Sequence, residues 1–143
     1  MNSGIAFDIP GRPVAKSNNY QIIRIKGFTK IVPTKDVKQY QQTVAESCPK
    51  FPTYEEKLCV LITWHRGDKR RKDLDNIAKA IKDGITDAQL WSDDSQVVQL
   101  FLQSVNDVKG AENEWVRVHI LPMINELCIS NAPCVPNVLD LDS

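Results

Sequence analysis

Histidine is scarce in this sequence. Only His65 and His119 occur in 143 residues, too few ligands for a histidine-built metal centre. Cysteine offers little more. Cys48, Cys59, Cys128 and Cys134 show none of the two-to-four-residue spacings of zinc ligands, so free thiols in a reducing cytosol are expected. No apolar run approaches the ~18 residues that span a bilayer. The start, Met1 to Asp8, has no basic stretch leading into an apolar one, so neither export nor a membrane partner is expected and the predicted location is intracellular.

Net charge is missing too, with 18 Lys and Arg against 18 Asp and Glu. A mean of zero argues against a uniformly basic nucleic-acid binder, yet the charge is distributed unevenly. Residues 1–82 carry 16 basic and 8 acidic side chains, +8, and residues 83–143 carry 2 and 10, −8. The first half can therefore present a phosphate-attracting face, and a bound divalent cation would offset part of the second. With 42% hydrophobic and 25% charged residues, disorder across the chain is excluded, and the length suits one domain with a real core.

Ile5, Phe7 and Ile9 alternate with smaller or polar residues, the period of a half-buried strand, ending at Pro10. Gly11 to Asn19 is a loop. Gln21–Ile25 and Phe28–Val32 flank Lys26-Gly27 as a hairpin, because glycine supplies the positive backbone angle of a tight turn. Thr34 is the predicted N-cap of a helix with Val37, Tyr40 and Val44 on one face, ending near Cys48-Pro49. Leu58–His65 is apolar and β-branched enough for a central strand.

Leu74, Ile77, Ile81 and Ile85 then share a helical face, which predicts a second helix of about 14 residues from Asp73. Gly84 interrupts it with a poor helix former. Val97–Val105 and Trp115–Leu121 are the last strands, joined by Val108–Asn113. Trp64, Trp91 and Trp115 lie in or beside strands and are expected in the core. The order β-β-β-α-β-α-β-β has no internal repeat. It predicts a single α+β domain, two main helices packed on a mixed, partly antiparallel sheet. The domain is drawn over residues 1–123. Residues 124–143, broken by Pro133 and Pro136 and acidic at the end, form a flexible tail.

Chemistry concentrates in Lys72-Asp73-Leu74-Asp75-Asn76, with Lys79 a turn later and Asp93-Asp94 beyond the helix. Phosphodiester hydrolysis is very slow uncatalysed, because an anionic centre repels the nucleophile and the leaving alkoxide is poor. A divalent metal relieves both difficulties. Magnesium takes oxygen ligands, usually a few carboxylates with water and substrate phosphate. Asp73, Asp75 and Asp94, with Asp93 beside them, offer such a set if the two segments converge. Each piece also has a plainer use: Asp73 as N-cap, Asp75 with Lys79 as an i, i+4 ion pair, Asp93-Asp94 as a turn, and Lys69-Arg70-Arg71-Lys72 as a solvated loop. A calcium loop from Asp73 is excluded, since its sixth position is Ala78 and its twelfth Gly84.

Taken together, Arg71-Lys72-Asp73-Leu74-Asp75-Asn76-Ile77-Ala78-Lys79-Ala80-Ile81-Lys82-Asp83 and Leu90-Trp91-Ser92-Asp93-Asp94-Ser95-Gln96-Val97 resemble the signature of the RusA family of Holliday junction resolvases. Gly11 to Asn19, a proline then a Ser/Asn-rich stretch, resembles that family's N-terminal segment. The likeness covers roughly residues 4–121. It implies a homodimeric, Mg2+-dependent endonuclease, with Mn2+ able to substitute, that nicks four-way DNA junctions symmetrically and is often encoded by phages or prophages.

Carried over by position, Asp73, Asp75 and Asp94 would be the essential metal carboxylates and Lys79 a catalytic or phosphate-positioning residue. The roles of Asp93 and Asp83 stay open. Lys16, Arg24, Lys26, Lys30, Lys69, Arg70, Arg71 and Lys72 would hold phosphates without reading bases. Asn18, Asn19 and Tyr20 would lie near the junction centre. The alternatives are a branched-DNA-binding module without catalysis, an interaction protein with no DNA role, and a nuclease for flaps and other branched DNA.

Overall fold

The computed structural model describes residues 4–15, 20–67, 74–124 and 127–128. The chain runs β1 (Ile5–Pro10), β2 (Tyr20–Ile25), β3 (Phe28–Pro33), α1 (Lys35–Ser47), β4 (Leu58–His65), α2 (Leu74–Asp87), β5 (Val97–Val105), β6 (Trp115–Ile124) and β7 (Leu127–Cys128). One 3-10 turn, Asp94–Gln96, precedes β5 and another, Ala111–Asn113, precedes β6. This is the α+β domain that the sequence predicts.

The main sheet has the order β1-β6-β4-β5, with β7 added against β6. β6 is antiparallel to both β1 and β4, whereas β4 and β5 are parallel. Buried on both faces for seven of its residues, β4 is the central strand, as its unbroken apolar composition requires. Leu58, Val60, Ile62 and Trp64 join the core with Ile77, Ile81 and Ile85 of α2 and Tyr40 and Val44 of α1. Full burial of each such isoleucine contributes about 1.5–3 kcal/mol. On the other face Cys59 packs with Met123, Phe101 and Leu121.

Thr34 occupies the predicted N-cap position and its carbonyl accepts the Lys38 N–H at 3.2 Å, but its side chain makes no cap bond. Trp64 and Trp91 are fully buried. Trp115 is not. It is half-buried, with His65 stacked on it at 4.0 Å and the Arg117 guanidinium 5.0 Å from its ring centre. Neither Cys48 nor Cys59 is in a disulfide.

The sheet also continues past Pro122, where a strand was expected to stop. Met123 donates its N–H to the Lys57 carbonyl at 2.9 Å, so the adjacent Pro122 faces away from β4. There β1 has not begun, because its first residue, Ile5, pairs with Ile120. The missing proline N–H therefore breaks no ladder bond. Met123 and Ile124 pair with Cys128 and Leu127, so a boundary at residue 123 falls within β6, and residues 129–143 lie outside the described set.

Candidate functional site

Parallel strands cannot be joined by a tight turn, so the chain must cross from the His65 end of β4 back to the Leu58 end before β5 begins. α2 makes that crossing. Its first turn carries Asp75, its second Lys79, and both are well exposed, with Nζ 4.0 Å from Oδ2. An acid in a first turn is favoured by the helix dipole, so the helix tolerates Asp75 pointing into solvent. Asp83, two turns after Asp75, receives a 3.4 Å hydrogen bond from Gln41 of α1 and ties the helices together.

The far end of α2 is fastened to the segment before β4. Tyr54 donates its N–H to the Leu90 carbonyl at 2.8 Å, Thr53 Oγ1 donates to the Gln89 carbonyl at 2.7 Å, and Trp91 Nε1 donates to Thr86 Oγ1 at 2.7 Å. The acidic pair lies at this end. Asp93 is a helix cap: its Oδ1 accepts the Ser95 N–H at 3.1 Å, while Gln96 Oε1 accepts the N–H groups of Asp93 at 3.0 Å and Ser92 at 2.8 Å. The Ser95 backbone bond first, with Asp94 and the Ser95 side chain behind it, holds the Asp93 carboxyl below its ordinary pKa. Gln96 Nε2 donates to the carbonyls of Tyr54 at 2.9 Å and Glu56 at 3.1 Å, locking the turn to the sheet. Asp93 thus builds the turn on which Asp94 sits.

Asp75 therefore lies in the first turn of a 14-residue helix about 20 Å long, and Asp94 in the 3-10 turn seven residues beyond its last residue, Asp87. The sequence reading requires the two segments to meet, and within one chain the length of this helix stands between them. Among the described residues no three His, Cys, Asp or Glu side chains gather to hold an ion. Asp73, the third predicted ligand, lies outside them, as do Lys16, Asn18, Asn19, Lys69, Arg70, Arg71 and Lys72. Arg24 is described and lies exposed on β2.

Glu114 was not foreseen from the sequence. Its side chain is fully buried, accepts Trp64 Nε1 at 3.1 Å and the Gly67 N–H at 2.9 Å, and lies 3.6 Å from Arg12 Nε. It anchors the chain at the residue before 68–73, the segment holding the basic run and Asp73. A lone glutamate in a connecting loop gives no sequence signal of such a role. Nearby, His65 Nδ1 lies 2.8 Å from Asp107 Oδ2.

On the sheet face away from the helices, Arg117 donates through Nε at 2.8 Å and Nη2 at 3.2 Å to the two oxygens of Asp8. That bond, more than the accompanying charge, holds the Asp8 carboxyl below its ordinary value. Among the described residues no helix is long and apolar enough to cross a membrane.

A protein-family model described as Endodeoxyribonuclease RusA matches residues 10–120. Among curated proteins, the Crossover junction endodeoxyribonuclease RusA of Escherichia coli K12 is 42% identical over 55 residues, covering 38% of this chain and 46% of that protein. The protein of the same name from Enterobacteria phage 82 matches with the same identity and coverage. That of Lactococcus phage r1t is 44% identical over 47 residues, 33% of this chain and 36% of the phage protein. The aligned stretch spans less than half the length of these relatives.

Proposed function

The chain belongs to the endodeoxyribonuclease RusA family, and from that premise we propose that it is a Mg2+-dependent endonuclease that resolves four-way DNA junctions by paired nicks. The observation that carries this is the exposed pair Asp75 and Lys79 on the opening turns of α2, directly after the basic run and within the family match. The curated relatives named as crossover junction endodeoxyribonucleases support the substrate class.

The donors fit magnesium. Asp73, Asp75 and Asp94 are hard oxygen ligands, and Asp75 is open to solvent and substrate. When bound, the ion supplies charge that offsets the build-up on the scissile phosphate. Lys79, already within reach of Asp75, places its ammonium beside the same phosphoryl oxygens. The run from Lys69 to Lys72 holds the adjoining backbone, and Arg24 a more distant phosphate.

The length of α2 sets a further condition. Carboxylates placed before and beyond most of a helix about 20 Å long are poorly placed, within one chain, to share an ion whose bonds are about 2 Å long. A twofold-related copy removes the difficulty, because in an isologous contact whatever residue i brings to j, j brings to i. Asp94 of one copy then completes the Asp73 and Asp75 of the other, and the pair of chains owns two such centres, one for each nick. The homodimer is thereby part of the site.

The test is cleavage of a synthetic four-way junction, compared with a flap and a plain duplex, with and without Mg2+. Paired nicks in the junction alone are expected. Tight binding with no nick in any metal would leave a DNA-binding module in place of the enzyme, equal cutting of flaps would make it a general branched-DNA nuclease, and weak, equal retention of junction and duplex at low salt would leave an interaction protein.

A further inference from the structure

β2 and β3 form a two-stranded sheet of their own, apart from the main sheet. Such a ribbon is marginal in water by itself, and this one exposes apolar side chains. Ile22 is 71% exposed, Ile25 51%, Phe28 77% and Ile31 67%. Ile22 lies opposite Ile31, and three residues nearer the turn, on the other face, Ile25 lies opposite Phe28. The turn is the tightest a hairpin allows, with φ of 51° at Lys26 and 82° at Gly27, the sign pair of a type I′ turn. A Cβ at Gly27 would meet nothing within 4 Å.

Its charges point to the occupant. Residues 20–33 contain Arg24, Lys26 and Lys30 and no acid, so each strand carries one cation among its apolar side chains and the turn a third. A hairpin-on-hairpin contact between two copies would set these cations against each other. DNA satisfies both kinds of side chain: phosphates take the cations, and base faces take the apolar groups wherever stacking is interrupted.

We propose that the hairpin is a wedge for the branch point of DNA, with Ile25 and Phe28 packing on unstacked base pairs while Arg24, Lys26 and Lys30 hold the flanking phosphates. This rests on the junction reading above and adds to it the means of telling a branch from a duplex, since only a branch offers open base faces.

The experiment uses the full chain in EDTA, so that no strand is cut, and junctions carrying 2-aminopurine either at the branch or within an arm. The wild-type protein should raise fluorescence at the branch label alone. Phe28→Ala should lose most of that rise and weaken junction binding roughly tenfold with duplex binding unchanged, whereas Phe28→Trp, which keeps a stacking face, should retain the rise. Replacing Arg24, Lys26 and Lys30 together by alanine should flatten the salt dependence by about 2–3 contacts. An undiminished rise in Phe28→Ala overturns the wedge, and so does any fall in sedimenting mass on that substitution, which would assign the hairpin to a second copy. A wild-type chain that ignores the junction altogether overturns the DNA reading itself, a result distinct from normal binding without a wedge.

Discussion

The carboxylate of Glu114 accepts the backbone N–H of Gly67 at 2.9 Å from a fully buried position. With the Trp64 indole on its other oxygen, it fixes the point from which the chain departs toward the basic run. Glu114→Gln keeps the volume but turns one acceptor into a donor facing a donor. An unsatisfied buried group costs about 1–3 kcal/mol, and the variant should lose about that much in denaturant unfolding. A wild-type midpoint would show that Glu114 anchors nothing.

Gly84→Ala should also destabilise, although alanine is the better helix former by about 1 kcal/mol. An added Cβ would lie 2.6 Å from Val44 Cβ and 2.8 Å from the Gln41 carbonyl of α1. Backbone cannot move aside as a flexible side chain can, so the helices must separate, an overpacking penalty of about 1–3 kcal/mol. A raised thermal midpoint would mean that α1 and α2 are free to shift.

Gly84 also marks where sequence stops being informative. Its poor propensity is visible, but its reason is a contact with a helix about 40 residues earlier in the chain. The local features were legible throughout: alternation in β1, the Lys26-Gly27 turn, the apolar stripe of α2, and the apolar run of β4 that marks a buried central strand. Pairings across the fold were not. That the turn Asp93 caps is locked to the sheet depends on Gln96 reaching Tyr54 and Glu56. That Asp75 and Asp94 are kept apart depends on β4 and β5 being parallel, which no residue spacing states.

His119 gives the fold a pH dependence. Its ring is half-buried, its Nδ1 has no hydrogen-bond partner, and burial first, then the nearby Arg117, lowers its pKa from 6.5, with Asp8 opposing. The unfolded chain thus binds the proton more readily than the folded one, and stability is full above 6.5 and falls as pH drops through the lower folded-state value. Thermal midpoints taken from about pH 8 to about pH 5 should decline in the wild type and flatten in His119→Asn. Asp8, whose pKa lies below 3.8, titrates outside that window. Parallel curves would remove His119 from the account.

Lys79→Ala separates chemistry from stability. The pair with Asp75 spans 4.0 Å between exposed side chains, and such pairs contribute only about 0.3–0.5 kcal/mol. The variant should unfold at nearly the wild-type midpoint yet cut junctions at least about tenfold more slowly, as expected on removing a cation that offsets phosphoryl charge. Unchanged turnover would leave Lys79 as a surface ion pair.

Asp73→Asn, Asp75→Asn and Asp94→Asn should each abolish cutting while preserving or strengthening junction binding, because each removes negative charge beside phosphate. Wild-type rates in any one would strike that residue from the ligand set. Their mixtures report where the ligands meet. If each centre takes Asp75 from one chain and Asp94 from the other, a dimer of one Asp75→Asn chain and one Asp94→Asn chain has one centre with both carboxylates intact and one with neither. Re-equilibrating the two variants in equal amounts should restore about a quarter of the centres. On a supercoiled plasmid extruding a cruciform, such dimers should give nicked circles and no linear DNA, because linearisation needs two nicks from one dimer. If both carboxylates came from the same chain, every centre in the mixture would carry a lesion, and mixtures as inert as each variant alone would refute the shared site.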